Sequence, residues 1–254
     1  MKITEYNLQT QKPNIDLKIA VVADLHSKEP SPVIAALEQI HPDVILCAGD
    51  IFECFEDKNS QINQNGFMFF EQSVKIAPTY YCLGNHEIEG KPHEGYPEIA
   101  GYKSIPTRIL EQLEGLGVHT VFDSYNLLND NIAIGGLISG SHKNDGRPNI
   151  HFVESFSKLS QYKILICHHP EYYPIYLADK DIDMILSGHA HGGQWSFFGR
   201  GLYAPSQGFF PKYTSGIHDG RLIISRGCSN STRPIKIPRL LNPTEVLSIH
   251  VRSI

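Results

Sequence analysis

Short apolar runs recur along the chain with the spacing that is typical of alternating strands and helices. Runs that are apolar at almost every position suit strands covered on both faces, since a strand with one face in water would alternate between apolar and polar residues. We predict such strands at residues 18–23, 44–48, 79–83, 132–135, 163–167 and 184–187, and two more near the end of the chain at 221–225 and 245–251.

Stretches with an apolar residue at every third or fourth position separate these runs and predict helices. Ser31 is a candidate N-cap, and Pro32 fits the first turn of the helix that follows it. Further helices are expected over residues 59–76 and over 107–116, where Gly117 ends the helix. The apolar faces of the first and the last predicted helix comprise Val33, Ala36, Leu37 and Ile40, and Phe152, Val153, Phe156 and Leu159.

The alternation of strands and helices is typical of an α/β fold, and no segment resembles a linker, so we expect one domain over residues 1–254. Two long stretches rich in Gly and Pro interrupt the alternation, at residues 87–104 and 188–220. Loops of this length are usually functional. The aromatic side chains of the second loop either line a substrate pocket or fold inward for burial, and the sequence favours neither. They are Trp195, Phe197, Phe198, Tyr203, Phe209, Phe210 and Tyr213.

Composition narrows the class of protein. The 254 residues are 41% apolar and 19% charged, which supports a packed core and excludes extended disorder. A net charge of −5 gives the whole chain no attraction to nucleic acid or anionic membrane, although a local basic patch is compatible with it. No run has the roughly 18–20 apolar residues of a membrane-spanning helix, and no secretory signal is visible. Cys47, Cys82 and Cys167 lie in apolar runs and are expected to be reduced core thiols of a cytoplasmic protein.

Polar residues that can bind a metal follow five of the predicted strands directly. In open α/β sheets the binding crevice lies outside the carboxyl ends of the strands, so neighbouring strand ends would bring these side chains together. The five blocks are Asp24-Leu25-His26, Gly49-Asp50, Gly84-Asn85-His86-Glu87, His168-His169 and Gly188-His189-Ala190-His191.

Such a cluster predicts a metal centre. Buried carboxylates and imidazoles are costly without a partner, and a shared metal ion is the usual compensation. Seven candidate ligands are too many for one tetrahedral zinc, but they fit two divalent ions with mixed oxygen and nitrogen ligands, such as Mn, Fe, Zn or Co. The seven are Asp24, His26, Asp50, Asn85, His168, His189 and His191. A carboxylate between two such ions can bridge them at a separation of about 3.5–4 Å.

The five blocks, in this order and spacing, resemble the signature of the calcineurin-like metallophosphoesterases. The run from Gly188 to Gln194 is similar to the compact bacterial branch of that family. The resemblance spans roughly residues 18–225. It implies a four-layer αββα sandwich with two central mixed sheets, and a dinuclear centre that hydrolyses phosphoester bonds.

The resemblance also implies a role for each residue. Asp50 would bridge the two ions, and His86 would contact the substrate phosphate and protonate the leaving oxygen. Either His168 or His169 could be a ligand, and position favours His168 because it comes first after the strand. Metal one would be held by Asp24, His26, Asp50 and His191, and metal two by Asp50, Asn85, His168 and His189.

The leading hypothesis is a metal-dependent phosphohydrolase that acts on a small-molecule or lipid-headgroup phosphoester. Two ions would cancel charge on the phosphoryl oxygens, hold the phosphorus in line and acidify a bridging water, whose hydroxide is the expected nucleophile.

A nuclease on the same centre is disfavoured by the negative net charge. A silent binding or scaffold protein is disfavoured because all seven ligand positions and His86 are present. Arg226 and Arg233 are candidates for phosphate contact, with ion pairing the favoured role for each. The sequence leaves the oligomeric state open.

Overall fold

A computed structural model describes residues 1–53, 60–88, 107–138, 147–197, 200–230 and 238–254 of the chain. Most of the first predicted loop, residues 89–104, lies outside the described residues, as do Phe198 and Arg233. The strands are β1 Lys2–Thr10, β2 Asp16–Val22, β3 Val44–Ala48, β4 Thr79–Cys82, β5 His119–Thr120, β6 Ser124–Asn129, β7 Ile132–Leu137, β8 Tyr162–Cys167, β9 Met184–Ser187, β10 Ser196–Phe197, β11 Arg200–Gly201, β12 Tyr203–Ala204, β13 Gly208–Phe209, β14 Gly216–His218, β15 Leu222–Ile224 and β16 Glu245–Ser253.

Twelve of these strands form two six-stranded mixed sheets. The first has the order β1-β16-β2-β3-β4-β5, with β2 to β5 parallel and β16 antiparallel to β2. The second has the order β14-β15-β9-β8-β7-β6, with β7, β8, β9 and β15 parallel and an antiparallel strand at each edge. The parallel strands in the middle of each sheet are those that the apolar runs predicted.

The helices are α1 Ser31–Ile40, α2 Ser60–Ile76, α3 Asn85–Ile88, α4 Thr107–Gly115 and α5 Ile150–Ser157. The predicted cap at Ser31 is wrong. Ser31 is the first helical residue, Pro30 occupies the cap position, and the backbone amide of Ser31 donates to the Glu29 carboxylate at 3.0 Å. A side-chain cap exists at α5, where Asn149 accepts from the Phe152 amide at 3.1 Å. Among the described helices, none is long and apolar enough to cross a membrane.

Three separate apolar cores define four layers. Alternate residues of β2 point to opposite faces, so that Ile19 and Val21 pack between the two sheets while Ala20 and Val22 pack beneath α1 and α2. On the far side, Phe156 of α5 covers the outer face of the second sheet. Helices therefore cover both outer faces of two stacked sheets, and the predicted αββα sandwich is confirmed.

Phe156 provides a test of this packing. Its side chain is completely buried between α5 and the second sheet. Phe156→Ala removes that contact and leaves a cavity, so we expect the free energy of unfolding to fall by about 3–5 kcal/mol. Urea denaturation measures it, with Phe209→Ala as the matched control, because Phe209 is 73% exposed. An equal effect of the two substitutions would contradict the layer assignment.

Candidate metal centre

Six of the seven predicted ligands meet where the carboxyl ends of β2, β3, β8 and β9 face each other, and all six are buried. Their ligand atoms form two groups, and within each group these atoms lie within 4.8 Å of one another. One group contains Asp24, His26 and His191, and the other contains Asp50, His168 and His189.

Within the first group the ligand atoms have the spacing of a coordination shell. The Nε2 atoms of His26 and His191 are 3.4 Å apart, and His191 Nε2 lies 3.6 Å from Asp24 Oδ1. Ligands bound at about 2.1 Å around a tetrahedral ion lie about 3.4 Å from each other. The first group therefore fits one ion without rearrangement.

Asp50 links the two groups. Its Oδ2 atom lies 3.1 Å from His168 Nε2 on one side and 3.9 Å from His26 Nε2 on the other. Its second oxygen, Oδ1, accepts the backbone amide of His86 at 2.9 Å. One carboxylate oxygen is therefore held between imidazoles of both groups.

The histidines are oriented by the nitrogen that faces away from this centre. The Nδ1 atoms of three rings lie at hydrogen-bonding distance from acceptors: His168 from Ala48 O at 2.7 Å, His191 from Ser229 O at 3.2 Å, and His26 from Glu53 Oε2 at 3.1 Å. In a neutral ring, a proton on Nδ1 of His168 would donate to Ala48 O and leave Nε2 free to bind an ion. Metal-binding histidines are usually fixed in this way.

The electrostatics of the centre favour a positive charge beside Asp50. Burial raises the pKa of Asp50, but the charge of His168 overcomes this and holds it well below its usual value. Burial lowers the pKa of His168, and the Asp50 carboxylate more than offsets it and raises the pKa to about 10. Burial lowers the pKa of His191 to about 4, so this ring is neutral at pH 7. A proton and a divalent cation would neutralise the same carboxylate, so they compete for this position.

The backbone turns sharply at the ligands themselves. Asp24, His26, Asp50, His189 and His191 all have positive φ angles, between 46° and 65°. This left-handed conformation costs roughly 1–2 kcal/mol for most residues, and Asp and His are among the residues found in it more often. The strain lets each chain end its strand and present a ligand at once, and such strain concentrates at functional sites.

Two glycines bring the strand ends close together. Gly49 has a φ of +85°, and a Cβ atom there would lie 2.7 Å from His168 Nδ1. A Cβ atom on Gly84 would lie 2.2 Å from Asp50 Oδ1. Side chains at these positions would displace the ligands, which explains why glycine precedes Asp50 and Asn85.

Glu87, which was not predicted as a site residue, holds two of the loops in place. Its buried carboxylate accepts the amides of Asp50 at 3.1 Å, Ile51 at 2.7 Å, Phe52 at 3.0 Å and Gly84 at 2.6 Å. The carboxylate thus joins the segment after β3 to the turn after β4. Its role is to position Asp50 rather than to contact a substrate.

His86 lies at the edge of the centre, where its ligand atom is within 4.8 Å of those of His26 and Glu53. Its ring is 4.6 Å from the ring of His26, and its side chain is 19% exposed. Its Nδ1 atom is 3.2 Å from the carbonyl oxygen of Glu53 and 3.6 Å from the Glu53 carboxylate. Glu53 therefore contacts both His26 and His86. The sequence carries no signal for it, because Glu53 does not directly follow the predicted strand at residues 44–48.

The two adjacent histidines occupy different surroundings. His168 faces Asp50, whereas His169 Nδ1 lies 2.8 Å from Glu171 Oε1. Glu171 Oε1 is also 3.8 Å from His189 Nε2, and the rings of His169 and His189 are 4.0 Å apart. His168 therefore lies beside Asp50, whereas the ligand atoms of His169, Glu171 and His189 form a further group within 4.8 Å of one another.

The remaining candidates lie around this centre. Asn85 begins α3. It lies between Gly84, which packs closely against Asp50, and His86, whose backbone amide donates to Asp50 Oδ1. Arg226 is paired with Glu245 at 3.1 Å, the role that the sequence favoured for it. An arginine that the sequence analysis missed, Arg239, donates to Ser229 O at 2.5 Å and lies 3.2 Å from His191 Nδ1.

Several bacterial proteins are similar to this chain in sequence. The chain is 26% identical to the protein YpbG of Bacillus subtilis over 93% of this chain and 83% of that protein. It is 26% identical to the metallophosphoesterase Cj0846 of Campylobacter jejuni over 74% of this chain, but spans only 48% of that relative. The phosphodiesterase YaeI of Escherichia coli is 25% identical over 70% of this chain and 61% of YaeI.

Among solved structures, TT1561 of Thermus thermophilus aligns over 68% of this chain and 82% of that chain, with a TM-score of 0.42 and 12% identity. The sequence comparison with protein families is more direct. The model of the calcineurin-like phosphoesterases matches residues 17–193, a segment that includes every predicted ligand from Asp24 to His191. The chain belongs to the calcineurin-like phosphoesterase family.

Proposed function

We propose that the protein is a metal-dependent phosphohydrolase with a dinuclear centre. The observation that carries this proposal is the position of Asp50 Oδ2 between the imidazoles of two separate ligand groups. One ion would bind to Asp24, His26, Asp50 and His191, and the other to Asp50, Asn85, His168 and His189.

The residues present suit divalent ions of borderline hardness. Two carboxylates, one carboxamide and four imidazoles form a mixed oxygen and nitrogen set that accepts Mn, Fe or Zn. When bound, such ions neutralise phosphoryl oxygens and lower the pKa of bound water. The protein itself contributes to the alignment, because Ala48 O lies 2.7 Å from His168 Nδ1, and Glu53 and Ser229 contact the Nδ1 atoms of His26 and His191.

His86 is proposed as the proton donor. Its Nδ1 atom is directed to the carbonyl oxygen of Glu53, which leaves Nε2 for an oxygen of the substrate. Its backbone amide donates to Asp50 Oδ1, which holds the residue beside the centre, where its ring contacts His26 and Glu53. A donor held in this way can protonate the departing oxygen of a phosphoester.

The substrate class that we propose is a phosphoester of a small molecule or a lipid headgroup. The relative YaeI is named a phosphodiesterase, which supports a diester among the candidates. We also propose that the chain folds as one domain, since β1 and β16, at opposite ends of the chain, pair along their whole length.

The reaction can be tested first with a nitrophenyl phosphodiester and Mn²⁺, with chelator and metal re-addition as the control. Unchanged activity in chelator would refute a metal-dependent reaction.

Asp50 provides the test of the shared ligand. Asp50→Asn keeps the size of the side chain but removes its charge, so both ions should be affected. We expect metal content to fall from about two ions per chain, and kcat/KM to fall by more than about 100-fold, since loss of groups that only orient ligands already costs about 10–100-fold. Metal analysis by mass spectrometry and a nitrophenyl phosphodiester assay measure these changes.

Asn85→Ala should lower the metal content and kcat/KM less than Asp50→Asn does, because Asn85 would bind one ion only. The matched control is Asp130→Asn, which makes the same chemical change at an exposed turn. A variant lacking Asp50 that retained both ions and near-normal turnover would exclude the bridging assignment.

The adjacent histidines can be separated by substitution. His168→Ala removes the imidazole that faces Asp50, so we expect loss of close to one ion per chain. His169→Ala should retain most of the metal, because that ring contacts Glu171 rather than Asp50. Metal titration of both variants measures the difference, and the reverse result would move the ligand to His169.

The role of His86 depends on the leaving group. An alkoxide needs a proton to depart and a nitrophenolate does not, and general-acid assistance is typically worth about 10²–10⁴-fold. His86→Ala should therefore keep both ions and lose far more kcat/KM on an alkyl phosphoester than on a nitrophenyl one. An equal loss on the two substrates would assign His86 to stabilisation of charge in the transition state instead.

A further inference from the structure

Six large side chains are exposed on the segment after His191 and at residues 240–241, and we call these six together the apolar rim. Phe209 and Phe210 are the most exposed of its aromatic members, at 73% and 79%, and Leu241 is 73% exposed. The sequence offered two roles for the aromatic residues of this loop, a pocket lining or burial, and these two phenylalanines are not buried. The apolar rim consists of Trp195, Tyr203, Phe209, Phe210, Leu240 and Leu241.

The apolar rim is built on the turn that carries His191. Leu202 donates its backbone amide to Gly193 O at 3.1 Å, and Phe210 donates to Leu202 O at 2.8 Å. The second part of the rim joins at the same place, because Leu240 donates to Gln194 O at 3.2 Å. The exposed side chains are thus tied by backbone hydrogen bonds to the chain immediately after a candidate ligand.

The backbone of the rim is held in a costly conformation. Phe210 and Leu241 have positive φ angles of 53° and 54°, which bulky residues rarely adopt. This strain coincides with the exposure of two large apolar side chains to water. Strained backbone of this kind is associated with ligand-binding surfaces.

The charge of the surrounding chain is opposite to that of the whole protein. Residues 184–244 contain seven Lys and Arg and a single acidic residue, Asp219, which is a net charge of +6 by sequence. Three of these cations are bonded within the fold: Arg221 donates to Lys180 O, Arg226 pairs with Glu245, and Arg239 donates to Ser229 O. Since the whole chain carries −5, the remaining residues carry −11. Arg200 and Lys212, which are both exposed, flank the phenylalanines in sequence.

We propose that the apolar rim and its basic flanks bind the surface of an anionic lipid bilayer. Phenylalanine and leucine side chains enter the boundary between headgroups and acyl chains, Trp and Tyr favour the headgroup level, and Lys and Arg pair with anionic lipids. Leu240 and Leu241 favour lipid over nucleic acid, because aliphatic side chains offer bases no stacking surface.

This binding has a consequence for the substrate, which rests on the proposed function. The bilayer would lie against the loop that follows His191, so phosphoesters of lipid headgroups would be presented next to the candidate metal centre. A lipid phosphoester, rather than a freely diffusing one, would then be the preferred substrate.

Vesicle sedimentation tests the surface without any turnover. The full chain is mixed with vesicles of phosphatidylcholine alone, or of equal parts phosphatidylcholine and phosphatidylglycerol. We expect binding to the anionic vesicles that weakens as salt rises. Substitution of both phenylalanines, Phe209→Ser with Phe210→Ser, should weaken binding about tenfold or more for each side chain lost. Lys212→Ala should weaken it about fivefold, from about 1 kcal/mol per basic residue.

Matched controls lie elsewhere on the molecule. Leu127→Ser alters a half-exposed leucine on β6, the opposite edge of the second sheet from β14, and Lys75→Ala removes an exposed charge from α2. Both should bind vesicles like the unaltered chain. The phenylalanine variant should hydrolyse a soluble nitrophenyl phosphoester at the normal rate, which shows that its fold and centre are intact.

The lipid surface would be refuted by no binding to either vesicle or by equal binding of the phenylalanine variant. A phenylalanine-dependent dimer in light scattering with no vesicle binding would also refute it, because a second copy of the chain would then be the occupant. Binding to single-stranded DNA that depends on Phe209 and Phe210, without vesicle binding, would also refute it. If the unaltered chain binds vesicles but hydrolyses no phosphoester, the proposed function is refuted and the lipid-binding surface is still supported.

Discussion

The buried carboxylate of Asp50 is the constraint on which the rest of the candidate centre depends. An ionised carboxylate without a partner in a protein interior is very costly, so each neighbouring element compensates for it. His168 faces one oxygen, and the amide of His86 donates to the other. Glu87 fixes the turn that carries Asp50, although burial raises the pKa of Glu87 itself and two carboxylates lie close together. Such an arrangement is stable only if a cation or protons balance the charge.

The sandwich is what allows both groups of ligands to meet. Asp24, His26 and Asp50 follow strands of the first sheet, and the other three histidines follow strands of the second. The core between the sheets is apolar, including Val21, Leu46 and Ile166, so the strand ends are held at a fixed distance by close packing. A slip of one strand by one residue would turn its side chains to the opposite face and separate the groups.

The sequence predicted the parts of this structure that depend on local pattern. The central strands were visible because both of their faces are buried, and the ligands were visible because they follow such strands. The strands β1 and β6 were not predicted, because they are polar and largely exposed edges, and β1 exists only by pairing with β16 at the other end of the chain. Glu53 and Arg239 were missed because only the folded chain brings them to the histidines, and Glu171 was missed because it does not follow a strand directly, although it lies two residues after His169.

These missed residues bear on how substitutions at the centre combine. Glu53 lies 3.1 Å from His26, a candidate ligand, and 3.6 Å from His86, the candidate proton donor. Loss of the Glu53 carboxylate would disturb both the orientation of His26 and the surroundings of His86. The effect of this loss on activity therefore cannot be the sum of two independent losses. Groups that share a partner in this way act as a unit. Metal binding by His26 and proton donation by His86 are therefore coupled through Glu53, which has neither role itself. The two effects are separated only by measuring metal content and proton donation in the same variant.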